Sequence, residues 1–397
     1  LLKMKKNKLA VIGVGSAGIQ SLCHFLAYMD ETWEITSIHN PSKKIQGIGE
    51  SSNPSFIAAL ELGVGFNLIE DLNKINGTLK FGTKYKDWRV HEFVNPLIGG
   101  SVAIHFDTHS LYKFAMNGFK KRWNNKFKII KGNVDKLENN KNEVKLKINN
   151  KNYSFDFVID CGGTPKSFKD YKMIDPLLNT CLVHNNEPDF KIDLKHTGHI
   201  ATKDGWMFRV PLKTRTSYGY LYNSNITKND KAKENFSKII DVPVKKLEKI
   251  KYKFKPYYTE NALKGRVIKN GNAVAFFEPM FANSLFIYDN VNRNFWDYVV
   301  GNIKASVVNE RIARSASAVA SVIGFHYLEG STYSTEFWKQ AKKWGEKETQ
   351  KTNIMAYYSN MLEGINKNSN WVSLENYCFT AYGFAKLSKN LGYNKFI

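Results

Sequence analysis

The stretch LAVIGVGSAGIQSLCHFLAYM (residues 9–29) constrains the fold more than any other part of the chain. Leu9–Ile12 reads as a short buried strand, and the residues from Ser16 to Met29 carry the apolar spacing of an amphipathic helix. Between them Gly13-Val14-Gly15-Ser16-Ala17-Gly18 fits GxGxxG. The first glycine allows a tight turn, the second lets the backbone approach a pyrophosphate, and the third lets helix pack close to strand. The start of the helix at Ser16 and Ala17 would then face the anion. Glycines punctuate many ordinary loops, so the motif alone says little. Set between a strand and a helix, it points to dinucleotide binding. WEITSIHN (33–40) alternates as a second strand about 20 residues after the turn, the spacing of a βαβ unit. An Asp or Glu commonly ends that strand and holds the ribose hydroxyls. Here the position is His39, so His39 itself or another group must make the contact.

The remaining chain fits an interleaved α/β architecture. The basic, Asn-rich stretch 120–155 predicts a helix, a strand and a hairpin with turns at its two NNKN sequences. FDFVIDCGG (155–163) predicts another buried strand ending in glycines, and residues 180–260 read as aromatic-rich strands joined by turns. From about 290 to 397 the pattern is mostly helical, with HYLEGSTYSTEFWKQAKKW its most amphipathic piece.

Composition excludes several classes. With 397 residues, 43% hydrophobic and 24% charged, the chain suits a soluble protein with a large core. No segment approaches the ~20 apolar residues that span a bilayer. The N-terminal LLKMKKNKLAVIGVG places basic residues before an apolar run, as a signal peptide does. That run passes straight into the glycine turn without a cleavage site, so a cytoplasmic protein is expected. Cys23, Cys161, Cys181 and Cys378 are scattered, with no CxxC pairing. The pairs His105/His109 and His196/His199 lack the HExxH glutamate, so no metal site is expected. The net charge of +22 is spread among many Lys/Asn/Ile-rich loops and accompanies no nucleic-acid motif, so nucleic acid is not the expected partner. A basic surface still favours anions, a dinucleotide and halide among them.

Read on from the glycine turn, the sequence resembles the flavin-dependent tryptophan halogenase family across nearly its whole length. GIGESSNPSF (47–56) is similar to that family's GVGEATIP segment beside the flavin, and carries Glu50 and Ser51. NGTLKFGTKYKDWR (76–89) is similar to the segment with the family's invariant lysine, which falls on Lys80. DGWMFRVPL (204–212) resembles the WxWxIP signature through Trp206, Phe208, Val210 and Pro211. SYGYLYNS (217–224) and IGFHYLEGSTYSTEFW (323–338) are similar to the strand and helix that follow.

The resemblance implies FAD, supplied as FADH2 by a separate flavin reductase, with O2 and halide as co-substrates. In such enzymes a flavin C4a-hydroperoxide yields hypohalous acid, which passes down a tunnel to a small aromatic substrate. There a lysine hydrogen-bonds the oxidant or forms a haloamine, and the WxWxIP aromatics keep substrate away from the flavin. The resemblance also implies one module in which residues 1–110 and 150–300 interleave flavin-binding and substrate regions. A helical part, 300–397, would complete the substrate site.

One segment departs from the pattern. The family's PLEST glutamate and serine, partners of its lysine, fall here on Phe281 and Ala282 of EPMFANSL (278–285). Asn283 and Ser284 then stand where backbone amides bind halide. Loss of the acid favours phenols or activated indoles over free tryptophan, and bromide or iodide over chloride. Phe281 joins Trp206, Phe208 and Pro211 as an expected tunnel or substrate residue. Two rival readings stay open at this level: an FAD-dependent aromatic hydroxylase, and a flavin- or nucleic-acid-binding protein without catalysis. The oligomeric state is not legible.

Overall fold

The computed structural model describes residues 6–43, 45–48, 50–97, 100–351 and 381–392. The expected βαβ unit is present as β1 (Asn7–Ile12), α1 (Ser16–Tyr28) and β2 (Trp33–His39). β1 pairs in parallel with β2 on one side and with Phe157–Asp160 on the other. The full sheet has six strands, in the order Leu263–Lys264, Val267–Lys269, Phe157–Asp160, β1, β2, Phe127–Lys131. A central parallel strand is covered on both faces, which is why Leu9, Ala10 and Val11 are all fully buried.

A second sheet of seven strands runs in the order Ile250–Lys253, Thr180–Asn186, Thr216–Tyr222, Gly205–Pro211, His196–Thr202, Gly82–Lys86, Glu92–Pro96. Its pairs are antiparallel except His196–Thr202 against Gly82–Lys86. The chain leaves the first sheet after β2, visits the second, returns for 127–160, leaves for 180–253 and returns for 263–269. Loops that close one sheet therefore lie over the other, and the cavity between them draws on both. Helix Asn283–Val299 packs against α1 beside the first sheet. Its Asn292 Oδ1 accepts from Ser21 of α1 at 2.8 Å and from the buried Asn270 amide at 3.0 Å.

The Asn-rich stretch folds as helix Thr108–Arg122, strand Phe127–Lys131 and a three-stranded antiparallel sheet. Its tighter turn, Asn149-Asn150, has φ of 48° and 63°, the left-handed pair that a two-residue hairpin loop requires and asparagine tolerates.

Two expectations need correction. Within 180–260 the chain forms a helix, Asn229–Ile240, whose Ala232, Phe236 and Ile240 pack on Met207, Tyr218 and Tyr220 of the second sheet. Their spacing of four was a helical signal set in a lysine-rich background. HYLEGSTYSTEFWKQAKKW is also not one helix. The first helix, Ala305–Tyr327, stops before Gly330 at φ 70°, Ser331 bridges to Trp88, and a new helix runs Glu336–Lys351. Residues 352–380, with Cys378, lie outside the described residues, and Ala381–Asn390 is helical. No described helix is long and apolar enough to cross a membrane.

Candidate active site

A cavity of about 1260 Å³ runs from the glycine turn to Lys80. At its first end the backbone is shaped for a dinucleotide. A Cβ on Gly13 would lie 2.5 Å from the Cys161 carbonyl oxygen, and one on Gly18 2.0 Å from that of Gly13. Helix and strands can therefore meet this closely only without side chains at those two positions. Gly15 differs: among the described residues nothing lies within 4 Å of the place its Cβ would take. It caps α1 with no side-chain hydrogen bond, so the first amides of that helix, at Ser16 and Ala17, open onto the cavity. That open volume against uncapped donors fits the pyrophosphate of FAD.

His39 ends β2 and borders the cavity, but both ring nitrogens are engaged. Nδ1 meets Ser37 Oγ at 3.1 Å and Nε2 meets Tyr112 Oη at 3.2 Å. Burial and the nearby Lys131 and Lys120 push its pKa down, which favours the neutral ring. The exposed Lys43, also on the cavity wall, was not singled out from sequence and is better placed to meet an anion. Glu50 is likewise committed. Its Oε1 accepts the Thr108 amide at 2.8 Å and its Oε2 pairs with Arg215, which also holds Asp107 at 2.6 Å. Glu50 thus braces the cavity wall; it offers no free oxygen to a ribose.

At the other end, the strand Thr78–Lys80 pairs with Ala103–His105. Lys80 is 4% exposed while its apolar neighbours Leu79 and Phe81 are 36% and 37% exposed. Alternation on a strand sends one set inward, and here the set chosen carries the ammonium. Nζ donates to Ser51 Oγ at 2.9 Å and to the Ser52 carbonyl at 2.8 Å. Burial alone lowers its pKa from 10.5 to about 7. Ser51, expected beside the flavin, is therefore also the hydroxyl partner of Lys80. Phe281 and Phe208 both border this end with Thr197 and His199.

Trp206 and Pro211 do not border the cavity. Trp206 is fully buried and donates from Nε1 to Glu278 Oε1 at 3.1 Å. Tyr327 Oη donates to the same oxygen at 2.6 Å. Burial raises the Glu278 carboxyl to about 7, with these two hydrogen bonds opposing the rise. Trp88, Trp338 and His199 complete the aromatic layer, so Trp206 acts as a wall held in place behind the cavity. Glu278→Ala is expected to destabilise the fold by about 3 kcal/mol, because two buried donors lose their acceptor. Glu278→Gln keeps an acceptor at Oε1. Because a carboxyl titrating near 7 when folded loses stability as pH rises from 4.5 to 7, the Gln variant should gain on wild type over that range. Thermal melts at pH 5 and pH 8 measure both effects.

The segment expected to hold halide is a strained turn. Phe281 and Ala282 have φ of 46° and 57°, a conformation rare for side chains of this kind. Phe281 stacks on His326 at 5.3 Å. Asn283 requires correction as a halide ligand. Its backbone amide donates to Met280 and its side-chain amide to the Glu278 and Met280 carbonyls, so it braces the turn. Ser284, next along, borders the cavity at the start of a helix whose N-cap, Ala282, supplies no side-chain acceptor.

The histidine pairs have other partners. His105 hydrogen-bonds Thr78 and Thr197, His109 is exposed, and His196 pairs with Asp193 at 2.8 Å. Sequence reading passed over Ser52, Thr197, Arg215 and Glu278. Ser52 and Glu278 lie inside segments quoted above, yet like Thr197 and Arg215 they carry no signal of their own, and only the fold brings them to the site.

The family model for tryptophan halogenases matches residues 8–126 and 95–390. The chain is 21% identical over 432 residues to tryptophan 7-halogenase RebH of Lentzea aerocolonigenes, covering 85% of this chain and 79% of that protein. A tryptophan halogenase structure from Shewanella frigidimarina superposes with a TM-score of 0.82 at 16% identity, over 98% of this chain and 90% of that one. The flavin-dependent halogenase BrvH of Brevundimonas gives 0.75 at 16%, over 98% and 90%.

Proposed function

The chain belongs to the tryptophan halogenase family of FAD-dependent oxidoreductases, and on that premise we propose that Lys80 directs hypohalous acid onto an electron-rich, uncharged aromatic ring. The observation that carries this reading is the inward ammonium of Lys80, buried between two outward apolar residues and, among the described residues, with no carboxylate partner. FAD would be held by the glycine turn, the start of α1 and the wall around Lys43. Bound and reduced, it supplies hypohalous acid from O2 and halide. Ser284, at the uncapped helix start, is the remaining candidate to hold the halide. A separate flavin reductase supplies the reduced cofactor.

Lys80 has two hydrogen-bond positions filled, by Ser51 Oγ and the Ser52 carbonyl. The third is left for the oxidant. Protonated, Nζ donates there to the oxygen of hypohalous acid. As the ring carbon takes the halogen, the O–X bond breaks and the Nζ proton completes water. The neutral amine then accepts the proton leaving the ring. One group thus serves as acid and base, which suits a pKa near 7 and a site where Phe281 occupies the place of the family's acid. With no carboxylate to sharpen the oxidant, bromide or iodide and a phenol or indole are the preferred reactants.

Turnover should fall as pH rises through about 7, because the acid form of Lys80 is being lost. A pH–rate profile at saturating bromide reads this directly. The reading as a whole is tested with FAD, a flavin reductase and NADH, offering chloride, bromide or iodide with phenols and indoles. A halide-specific mass shift in the product supports it. A shift by oxygen alone would replace it with a hydroxylase.

A further inference from the structure

The hydrogen bonds at Lys80 do not end at Ser51. Ser51 Oγ meets Thr197 Oγ1 at 2.8 Å, Thr197 Oγ1 meets His105 Nε2 at 2.9 Å, and His105 Nδ1 meets Thr78 Oγ1 at 2.9 Å. Thr78 closes the chain by donating to the Pro211 carbonyl at 2.6 Å. Three strand registers make this possible: Ser51 bridges to His105, Thr78 lies opposite His105, and Thr197 comes from the second sheet.

The direction of the chain follows from its far end. A carbonyl only accepts, so the single Thr78 proton goes to Pro211, and Thr78 must accept from His105 Nδ1–H. His105 is fully buried, and burial with the nearby Lys80, His196 and Arg209 charges holds it neutral. Its Nε2 is then a bare acceptor and takes the Thr197 proton. Thr197 in turn accepts from Ser51, and Ser51 accepts from Lys80. Every hydroxyl is used once as donor and once as acceptor, and all the donors point away from Lys80.

We propose that His105 is a positioning residue for Lys80, fixing through Thr197 and Ser51 a one-way hydrogen-bond chain that keeps Ser51 an acceptor and leaves the third position of Nζ to the cavity. The proposal rests on Lys80 being the halogen-directing group. It accounts for a substitution that sequence comparison left unexplained. The family's serine partner is absent at Ala282, and Ser51 stands where the GVGEATIP segment has alanine. A hydroxyl has returned to the lysine from a different segment, with a chain behind it that sets its direction. Were Ser51 free to turn, its proton would compete for the Nζ lone pair whenever Lys80 was neutral.

The titratable groups that face the chain are His105, His196 and His199 on two strands and Arg209 on a third. Glu50, beside Ser51 in sequence, is turned to Arg215 and Thr108. An acceptor strengthened by a cooperative chain favours the ammonium form, so cutting the chain should weaken proton binding.

The test reads Lys80 itself and needs no product. In full-length protein carrying 15Nζ-lysine, the Lys80 resonance is assigned by its loss in Lys80→Met and titrated by NMR. Thr197→Val, isosteric but without the hydroxyl, is expected to lower the Lys80 midpoint by about one pH unit, a tenfold weaker hold on the proton. Thr197→Ser should restore it. His105→Phe, which removes the acceptor of the Thr197 proton, should shift the midpoint the same way. An unchanged or raised midpoint in Thr197→Val and His105→Phe would overturn the chain while leaving the halogenase reading intact. Failure of halogenation in wild type, with the midpoint shifting as expected, would leave the chain standing and remove that reading.

Discussion

Lys80→Met is expected to lose ring halogenation and gain thermal stability in the same molecule. The loss follows from removing the one group proposed to protonate the leaving oxygen and take the ring proton, a role worth roughly 10²–10⁴ in rate. The gain follows from burial. A pKa brought from 10.5 to about 7 corresponds to roughly 5 kcal/mol of penalty on the folded ammonium. Part of the gain is lost again, because Ser51 and the Ser52 carbonyl lose a donor, so about 2–3 kcal/mol should remain. The sign with pH is fixed. Below 7 the folded and unfolded states both carry the charge, and the full penalty applies. From 7 to 10.5 only the unfolded chain keeps its proton, so wild-type stability rises with pH. The advantage of the Met variant is therefore largest near pH 6 and fades toward pH 10. Melting curves at pH 6 and pH 9 check this. A variant no more stable at pH 6 than at pH 9, relative to wild type, would contradict a buried ammonium.

Gly15→Val is expected to fold normally and bind FAD at least roughly a hundredfold more weakly. Gly15 sits at φ −68° and ψ −174°, extended backbone that valine adopts without strain. No atom of the described residues lies within 4 Å of its Cβ position. The valine branches would project into the space proposed for the pyrophosphate, against the first amides of α1. Displacing two charge-assisted hydrogen bonds of about 1.5–3 kcal/mol each gives the expected drop. Gly18→Val is the contrasting case. Its Cβ would fall 2.0 Å from the Gly13 carbonyl oxygen, so that variant should fail to fold before it fails to bind. FAD fluorescence titration with parallel melts separates the two. Undiminished affinity in Gly15→Val would move the dinucleotide elsewhere in the cavity.

What the sequence revealed and what it hid divide along a physical line. The glycine turn, β1 and β2 were legible because their rules are local: turn geometry, strand alternation and the helix start all lie between Asn7 and His39. Lys80 was singled out through the segment around it, yet the outward turn of its apolar neighbours Leu79 and Phe81 could not be read, since apolar side chains ordinarily turn inward. Ser51 was expected beside the flavin, and only the fold shows that it also accepts a hydrogen bond from Lys80. Trp206 was expected at the tunnel; its tie to Glu278 and Tyr327 depends on residues 72 and 49 positions from that glutamate. Helix Asn229–Ile240 was missed because its three inward apolar residues, in a lysine-rich background, gave a weak period. Local chemistry was readable, and pairings made across the two sheets were not.

The most direct measurement of the central claim is product formation in the presence of a scavenger for free hypohalous acid, such as excess methionine. If Lys80 holds the oxidant inside the protein, halogenated product from wild type should survive the scavenger with little loss. The trace formed by Lys80→Met should disappear. Equal quenching in both proteins would mean that the halogen reaches the ring through solvent, and would contradict a directing role for Lys80.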